Sequence, residues 1–205
     1  AGWGKAGPRA HVLSLLAVLV LPEFSVVSYS ATGLSVLVQS IGEGRAFLGS
    51  VNSVTAALAA ISSGLVIPYL AKSRGVSDRT LLICGISLFA LASALLSFHA
   101  TKFGILLCIP IFAVALSVLR SCPPSFLSKE APEWMQGEAM GYLDSASSLC
   151  RVAAPLIAGL VAEQGGPGAP FMVCAVLCVT GLGALLLVVE AKPSGEVCAK
   201  EGRRE

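Results

Sequence analysis

The stretch GEAMGYLDSASSLCRVAAPLIAGLVAEQGGPG, residues Gly137–Gly168, decides the fold. Its central part, Met140–Ala162, is long enough to cross a bilayer, yet it contains Asp144 and Arg151. A charged side chain at the centre of a bilayer costs about 3 kcal/mol on insertion scales. A helix that keeps two such charges turns them away from lipid. The sequence therefore predicts a bundle of membrane helices that encloses a polar space.

The small and polar residues of this helix follow one another at steps of three or four, which places them on one face. They are Gly141, Asp144, Ser148, Arg151, Pro155 and Gly159. Large residues such as Leu149 and Val152 fall largely on the other side, where they can face lipid or apolar neighbours. Asp144 and Arg151 are about 10 Å apart along the axis, so they share a face without bonding directly.

The composition of the whole chain is that of a membrane protein. Of the 205 residues, 55% are hydrophobic and 13% are charged, whereas soluble domains carry about 25% charged residues. The seven cysteines are scattered, mostly within apolar runs, and form no CxxC pair. We therefore interpret them as small buried hydrophobes, and we expect no disulfide framework, no metal site and no cofactor.

Six apolar segments, each close to the ~20 residues that span the hydrocarbon, predict an all-α polytopic membrane protein with six transmembrane helices. The spans are 12–38, 47–70, 81–98, 103–127, 140–162 and 171–189, between an N-terminal segment 1–11 and a polar tail 190–205. Pro22-Glu23 interrupts the first span, and the fourth contains Pro110, Pro123 and Pro124. We expect the helices to be weakened or broken at these prolines.

Lysines and arginines are distributed unevenly between the two sides of this bundle. With six spans, both termini lie on one side, and the opposite side holds only Arg45 and Lys102. The first side holds Lys5, Arg9, Lys72, Arg74, Arg79, Lys129, Lys192, Lys200, Arg203 and Arg204. The positive-inside rule then places both termini in the cytoplasm, without indicating which membrane the protein occupies.

Glu23 follows a proline about eleven residues into the first span, near the middle of the membrane. Broken helices at this depth often mark the sites of transporters, and a carboxylate there suits a proton carrier. The alternative is that the span begins only at Phe24, which would leave Glu23 at the cytoplasmic end of the helix.

Two arginines accompany the acidic residues. Arg120 and Asp144 mirror each other around the loop between the fourth and fifth spans, so they could pair, either to lock two helices or to couple their movement. Arg151 lies deeper, where it could attract an anionic group or pair with Glu23.

The second span carries a stripe of small residues, which either forms a packing seam or lines a cavity. The stripe consists of Gly49, Asn52, Ala56, Ala60 and Ser63. The third and sixth spans carry no polar stripe, so we place them at the periphery, facing lipid. An enzyme is not expected, because His11 and His99 both fall at span ends and no phosphate loop is present. No basic and aromatic run suits a nucleic acid.

Residues 131–189 resemble the last two helices of the major facilitator superfamily, particularly its drug:proton antiporters of the tetracycline-efflux type. The matching motifs are Gln136-Gly137, Gly141, Arg151, Pro155, Ala158-Gly159, Gly165-Gly166 and Phe171. The loop YLAKSRGVSDRTL, residues 69–81, contains Asp78-Arg79 and resembles the second copy of the family's cytoplasmic loop between helices two and three. Arg120 stands roughly where the family's fourth-helix arginine would recur.

The resemblance covers residues 12–189 and implies the C-terminal six-helix half of a twelve-helix transporter. Such a half would need an N-terminal half, on the same or another chain, or a second copy of itself. The resemblance implies alternating access for a small organic solute, driven by protons through an acidic residue such as Glu23 or Asp144. It also implies that the first, second, fourth and fifth spans surround the cavity. The candidate coupling or substrate residues are Glu23, Asp144, Arg151, Arg120 and Asn52, and the conformational positions are Asp78, Arg79, Gly137, Gly141, Pro155 and Gly159.

Two other functions stay open at this point. A six-span scaffold or regulatory pseudo-transporter would fit the incomplete glycine pattern of the loop around Asp78. A channel is disfavoured, because the sequence contains no segment that resembles a selectivity filter or a re-entrant loop.

Overall fold

The computed structural model describes residues 8–69, 75–98 and 101–190, and these ranges are helical, with no strand among them. The helices are α1 (Pro8–Ser28), α2 (Leu34–Ser40), α3 (Arg45–Ile61), α4 (Asp78–Phe98), α5 (Lys102–Glu130), α6 (Gln136–Gly165) and α7 (Ala169–Glu190). A π-helical turn, Tyr29–Gly33, joins α1 to α2, and a second one, Ser62–Val66, extends α3. Most of the predicted N-terminal segment 1–11 and of the predicted tail 190–205 lies outside the described residues.

The described helices are long and apolar enough for a multi-pass membrane protein. Five stretches could each cross a bilayer: Arg45–Tyr69, Asp78–Phe98, Lys102–Glu130, Glu133–Gly165 and Ala169–Val188. The remaining span is made of α1 and α2, which the π turn joins into one helical run from residue 8 to residue 40. The protein is therefore an integral membrane protein built as a bundle of helices, as the sequence predicted.

The expected interruption of the first span at Pro22-Glu23 is wrong, because α1 continues through Pro22 to Ser28. A proline removes a single backbone hydrogen bond, and here its ring is buried against α7. A Cβ added to Gly181 of α7 would lie 3.3 Å from Pro22 Cδ, so the two helices approach closely at this point. Glu23 lies well inside the helix, and the alternative in which the membrane span begins at Phe24 stays a prediction.

The expected break in the fourth span is likewise absent. The helix α5 runs without interruption from Lys102 to Glu130 and contains all three of its prolines, Pro110, Pro123 and Pro124. Much of α5 is buried against α3 and α4, and this packing holds the helix together where backbone hydrogen bonds are missing.

The core lies where α1, α4, α5 and α7 pack on one another. Its centre is an aromatic cluster, to which each of the four spans contributes one ring. The Tyr29 ring stacks on Phe112, with 4.2 Å between centroids, and the edges of Phe89 and Phe171 approach it at 5.9 and 6.1 Å. The π turn that begins at Tyr29 thus lies against the centre of the bundle.

The helices α3 and α6 flank this core, α3 mainly on α5 and α6 mainly on α1. Each buries only a narrow strip of its surface, which in α6 consists of Ala139, Cys150, Ala154 and Ala158. The stripe of α3 that contains Gly49 and Asn52 is exposed along its whole length. Its interpretation as a packing seam between helices of this chain is therefore wrong, and the alternative of an open wall remains.

Two ion pairs between described residues mark the two ends of the bundle. Lys129 near the end of α5 pairs with Asp78 at the start of α4, with 2.6 Å between Nζ and Oδ2. Lys102 at the start of α5 pairs with Glu43 in the connection between α2 and α3. We call the two ends of the bundle the Asp78 end and the Lys102 end. The positions of other residues along the helices are described relative to these two ends.

Candidate functional site

Glu23 lies at the middle of the first span, fifteen residues after Pro8 and seventeen before Ser40. Its carboxylate is half-buried and accepts a hydrogen bond from the Ser147 hydroxyl of α6, with 2.7 Å between the two oxygen atoms. This contact connects the first and fifth spans by two polar side chains in the central part of both helices.

The rest of the surroundings of Glu23 are apolar. It lies at a recess whose other lining residues are Leu19, Pro22, Leu82, Ile86, Leu119, Pro123 and Leu143. Apart from Ser147, no hydrogen bond or ion pair reaches the Glu23 side chain within the described ranges.

Arg151 lies at the middle of α6, fifteen residues after Gln136, and its side chain is exposed. The predicted pairing with Glu23 does not form, since Glu23 bonds to Ser147, one turn earlier on the same helix. Ser148, which the sequence had placed on the polar stripe, donates instead to the Asp144 carbonyl oxygen of its own helix at 2.8 Å.

Arg120 and Asp144 lie at similar depths, ten residues from the end of α5 and eight from the start of α6. Both side chains are exposed. No ion pair joins them, or joins either one to another residue of the described ranges. Their similar depth follows from the antiparallel hairpin, but the predicted contact requires the two faces to turn toward each other, which they do not.

The polar stripes of α3 and α6 are open surfaces. A Cβ added to Gly49, Gly137, Gly141 or Gly159 would meet no other atom within 4 Å. Asn52 is exposed on α3. Pro155 lies nearer to the first span, where the Thr32 hydroxyl reaches its carbonyl oxygen at 3.5 Å. The polar face of α6 is therefore open at Gly137, Gly141 and Gly159.

Asp78 and Arg79 differ in their environments, although they are adjacent. Asp78 accepts hydrogen bonds from Lys129 Nζ at 2.6 Å and from the Ser125 hydroxyl at 2.7 Å, which ties α4 to α5 at the Asp78 end. Arg79 is half-buried and makes no ion pair with the described residues. Of these two adjacent residues, only Asp78 forms an ion pair within the described ranges, and its partner is Lys129.

Sequence reasoning missed two partners of the predicted residues. Ser147 stands three residues after Asp144 and Ser148 stands four residues after it, so periodicity alone does not distinguish the two serines. Lys129 is separated from Asp78 by 51 positions, and no local spacing could connect them. In the part of the chain that is described, no group of three or more His, Cys, Asp or Glu residues could hold a metal ion.

Comparisons with known proteins bear on the family. No curated protein matches this sequence. A solved structure, the in meso crystal structure of the POT family transporter PepTSo, shares the fold, with a TM-score of 0.76 and 12% sequence identity. The similarity covers 92% of this chain and 39% of that one, so the chain spans well under half the length of PepTSo.

The predicted family is confirmed by a second comparison, whereas the closer likeness to tetracycline-type antiporters and the assignment to a C-terminal half remain predictions. The sequence model of the Major Facilitator Superfamily matches residues 13–204, which is most of the chain. This chain belongs to the Major Facilitator Superfamily.

Proposed function

We propose that the chain is one six-helix half of a secondary transporter, which moves a small organic solute by alternating access, and that Glu23 carries the coupling proton. The hydrogen bond between Glu23 and Ser147 is the observation on which this proposal rests. It connects the first span to the fifth at mid-membrane depth, where secondary transporters bind their substrates and coupling ions.

The chemistry of this contact suits a proton carrier. The Ser147 hydroxyl can donate to a carboxylate and can equally accept from a carboxylic acid, so Glu23 has a partner in both protonation states. Gain and loss of one proton at Glu23 would therefore change the charge between α1 and α6 without breaking their connection.

The open faces of α3 and α6 support a cavity shared with a second half. Both faces carry small and polar residues that are largely exposed in the described chain, in contrast to the packed core. In this proposal Asn52, Arg120, Asp144 and Arg151 line the cavity. Gly137, Gly141, Pro155 and Gly159 permit the close approach of the other half, on the same or another chain or a second copy. The length of PepTSo, of which the chain covers 39%, is consistent with such an arrangement.

The orientation and direction of transport are also part of the proposal. The excess of lysines and arginines places the Asp78 end and both termini in the cytoplasm. The spans at 12–38, 47–70, 81–98, 103–127, 140–162 and 171–189 form the C-terminal bundle. The likeness to tetracycline-type antiporters suggests export in exchange for protons, with Asp78, Arg79 and Lys129 controlling the closure of the cytoplasmic end.

The test uses the full-length protein reconstituted in liposomes. A panel of organic cations, anions, zwitterions and neutral solutes is screened by the electrical current and the internal pH change that each produces under an imposed proton gradient. Glu23→Gln should lower gradient-driven flux at least about tenfold, while solute exchange without a gradient persists. Glu43→Gln, which alters an acidic residue at the Lys102 end, is the matched control and should keep gradient-driven flux.

Two outcomes would contradict this proposal. Undiminished gradient-driven flux in Glu23→Gln would remove Glu23 from proton coupling. A folded full-length protein that produces no current with any solute of the panel would favour the scaffold or regulatory alternative.

A further inference from the structure

We infer, on the basis of the transport function proposed above, that the solute is a zwitterion, whose cationic group is held by Asp144 and whose anionic group is held by Arg151. The inference concerns the class of substrate, which family membership leaves open, because the superfamily match identifies the fold and not the ligand.

The two residues present opposite charges on one open face. A separation of seven residues corresponds to nearly two full turns, so the side chains point the same way, about 10 Å apart along the axis. Both side chains are exposed, and neither forms an ion pair within the described ranges. Arg151 is at the middle of α6 and Asp144 lies between it and the Asp78 end.

The polar groups between the two charges are already occupied. Ser147 donates its hydroxyl hydrogen to Glu23, and Ser148 donates its own to a backbone carbonyl of α6. No hydroxyl group therefore bridges Asp144 to Arg151. The side of Asp144 that faces the Asp78 end is also clear, since a Cβ at Gly141 would meet no atom within 4 Å.

The chemistry of a matching ligand follows from the cost of an unpaired charge at membrane depth. A solute with one charge would neutralise one of the two residues and leave the other without a partner. A zwitterion of suitable length neutralises both at once. Arginine favours a carboxylate or a phosphate, which it binds through two parallel hydrogen bonds, and aspartate favours an ammonium group.

The experiment measures ligand binding to the purified full-length protein by calorimetry, with amino carboxylates of increasing length as probes. The probes are the terminal amino derivatives of butanoate, hexanoate and octanoate, and the controls are hexylamine and hexanoate. We expect one of the zwitterions to bind at least about tenfold more tightly than either control. The length that binds best measures the distance between the two charged groups.

Single substitutions identify the partner of each ligand group. Arg151→Gln should reduce the affinity for the zwitterion to that for hexylamine, and Asp144→Asn should reduce it to that for hexanoate. The double exchange, Asp144→Arg with Arg151→Asp, should recover a large part of the zwitterion affinity, with the ligand reversed. Thermal unfolding of each variant shows whether it folds, and Ser148→Ala, which leaves both charges in place, is the matched control.

The inference would be overturned if hexylamine or hexanoate bound as tightly as the best zwitterion. It would also be overturned if none of the probes bound to the protein. It would also be overturned if both charge variants retained the zwitterion affinity while the unfolding temperature fell, since Asp144 and Arg151 would then serve contacts between protein segments. A cationic, anionic or neutral solute that still produced a proton-coupled current would leave the transport proposal standing without this inference.

Discussion

The glycines of α4 and α6 serve opposite purposes, although both helices cross the membrane. A Cβ added to Gly85 of α4 would lie 2.6 Å from Val118 Cγ1, so α4 and α5 pack where there is no room for a side chain. A Cβ added to Gly141 or Gly159 of α6 would meet nothing within 4 Å. The same residue type thus permits close packing in one helix and belongs to an open face in the other.

This difference divides the bundle into a packed side and an open side. The packed side holds α4 and α7 against α1 and α5, around the aromatic cluster. The open side carries the polar stripes of α3 and α6, next to Glu23 and Ser147. Substitutions on the packed side are expected to affect stability, whereas those on the open side are expected to affect assembly and transport.

The largest effect is expected for Gly85→Leu, on the packed side. The new side chain would overlap Val118, and overpacking of this kind costs about 1–3 kcal/mol or more. Thermal unfolding of the detergent-purified protein should show a clear loss of stability. Gly183→Leu in α7 is the control, because Gly183 is exposed and its Cβ position is free. Equal stability of the two variants would contradict the close packing of α4 against α5.

The next effect concerns access of water to the open side. Ser148 and Val176 are both exposed in this chain. Each is replaced in turn by cysteine in a variant that contains no other cysteine. Only Ser148→Cys should face a polar cavity, where water allows the thiolate to form. We expect it to react with a charged, membrane-impermeant thiol reagent at least about tenfold faster than Val176→Cys. Similar rates at both positions would mean that the polar face of α6 is not in contact with water.

A smaller effect distinguishes two adjacent hydroxyls of α6. Ser147→Ala removes the hydrogen bond to Glu23 and leaves the carboxylate without a partner, which should lower the free energy of unfolding by about 1 kcal/mol. Ser148→Ala removes only a bond to the backbone of the same helix and should have a negligible effect. The check is a comparison of the two unfolding temperatures under the same conditions, and a larger loss for Ser148→Ala would contradict the assigned partners.

The smallest effect is expected at the Asp78 end. The Lys129 side chain is largely exposed, so its ion pair with Asp78 should contribute only about 0.5 kcal/mol. A double-mutant cycle with Asp78→Ala and Lys129→Ala measures this coupling, which should weaken at high salt. The control is a second cycle that pairs Asp78→Ala with Arg79→Gln, and for this pair of residues no coupling is expected. Coupling to Arg79 stronger than that to Lys129 would show that the ion pair is assigned to the wrong residue.

The sequence allowed the membrane spans and the polar stripe of α6 to be predicted, because hydrophobic length and periodicity depend on residues that are close along the chain. It also placed Arg120 and Asp144 at similar depths, since depth follows from counting residues along a hairpin. It could not predict that their side chains stay apart, because the rotation of each helix depends on all of its neighbours. The predicted breaks at Pro22 and in α5 failed for a similar reason, as packing replaces the lost backbone bonds.

By itself, the sequence determined that this protein is a bundle of membrane helices, and it predicted that Glu23, Asp144 and Arg151 lie within the spans. Only the tertiary structure decided that Glu23 meets Ser147, and that Asp78 meets Lys129. It also decided which glycines are packed and which are open. The physical reason is that periodicity identifies the face on which a residue lies, whereas its partner depends on how separate helices pack.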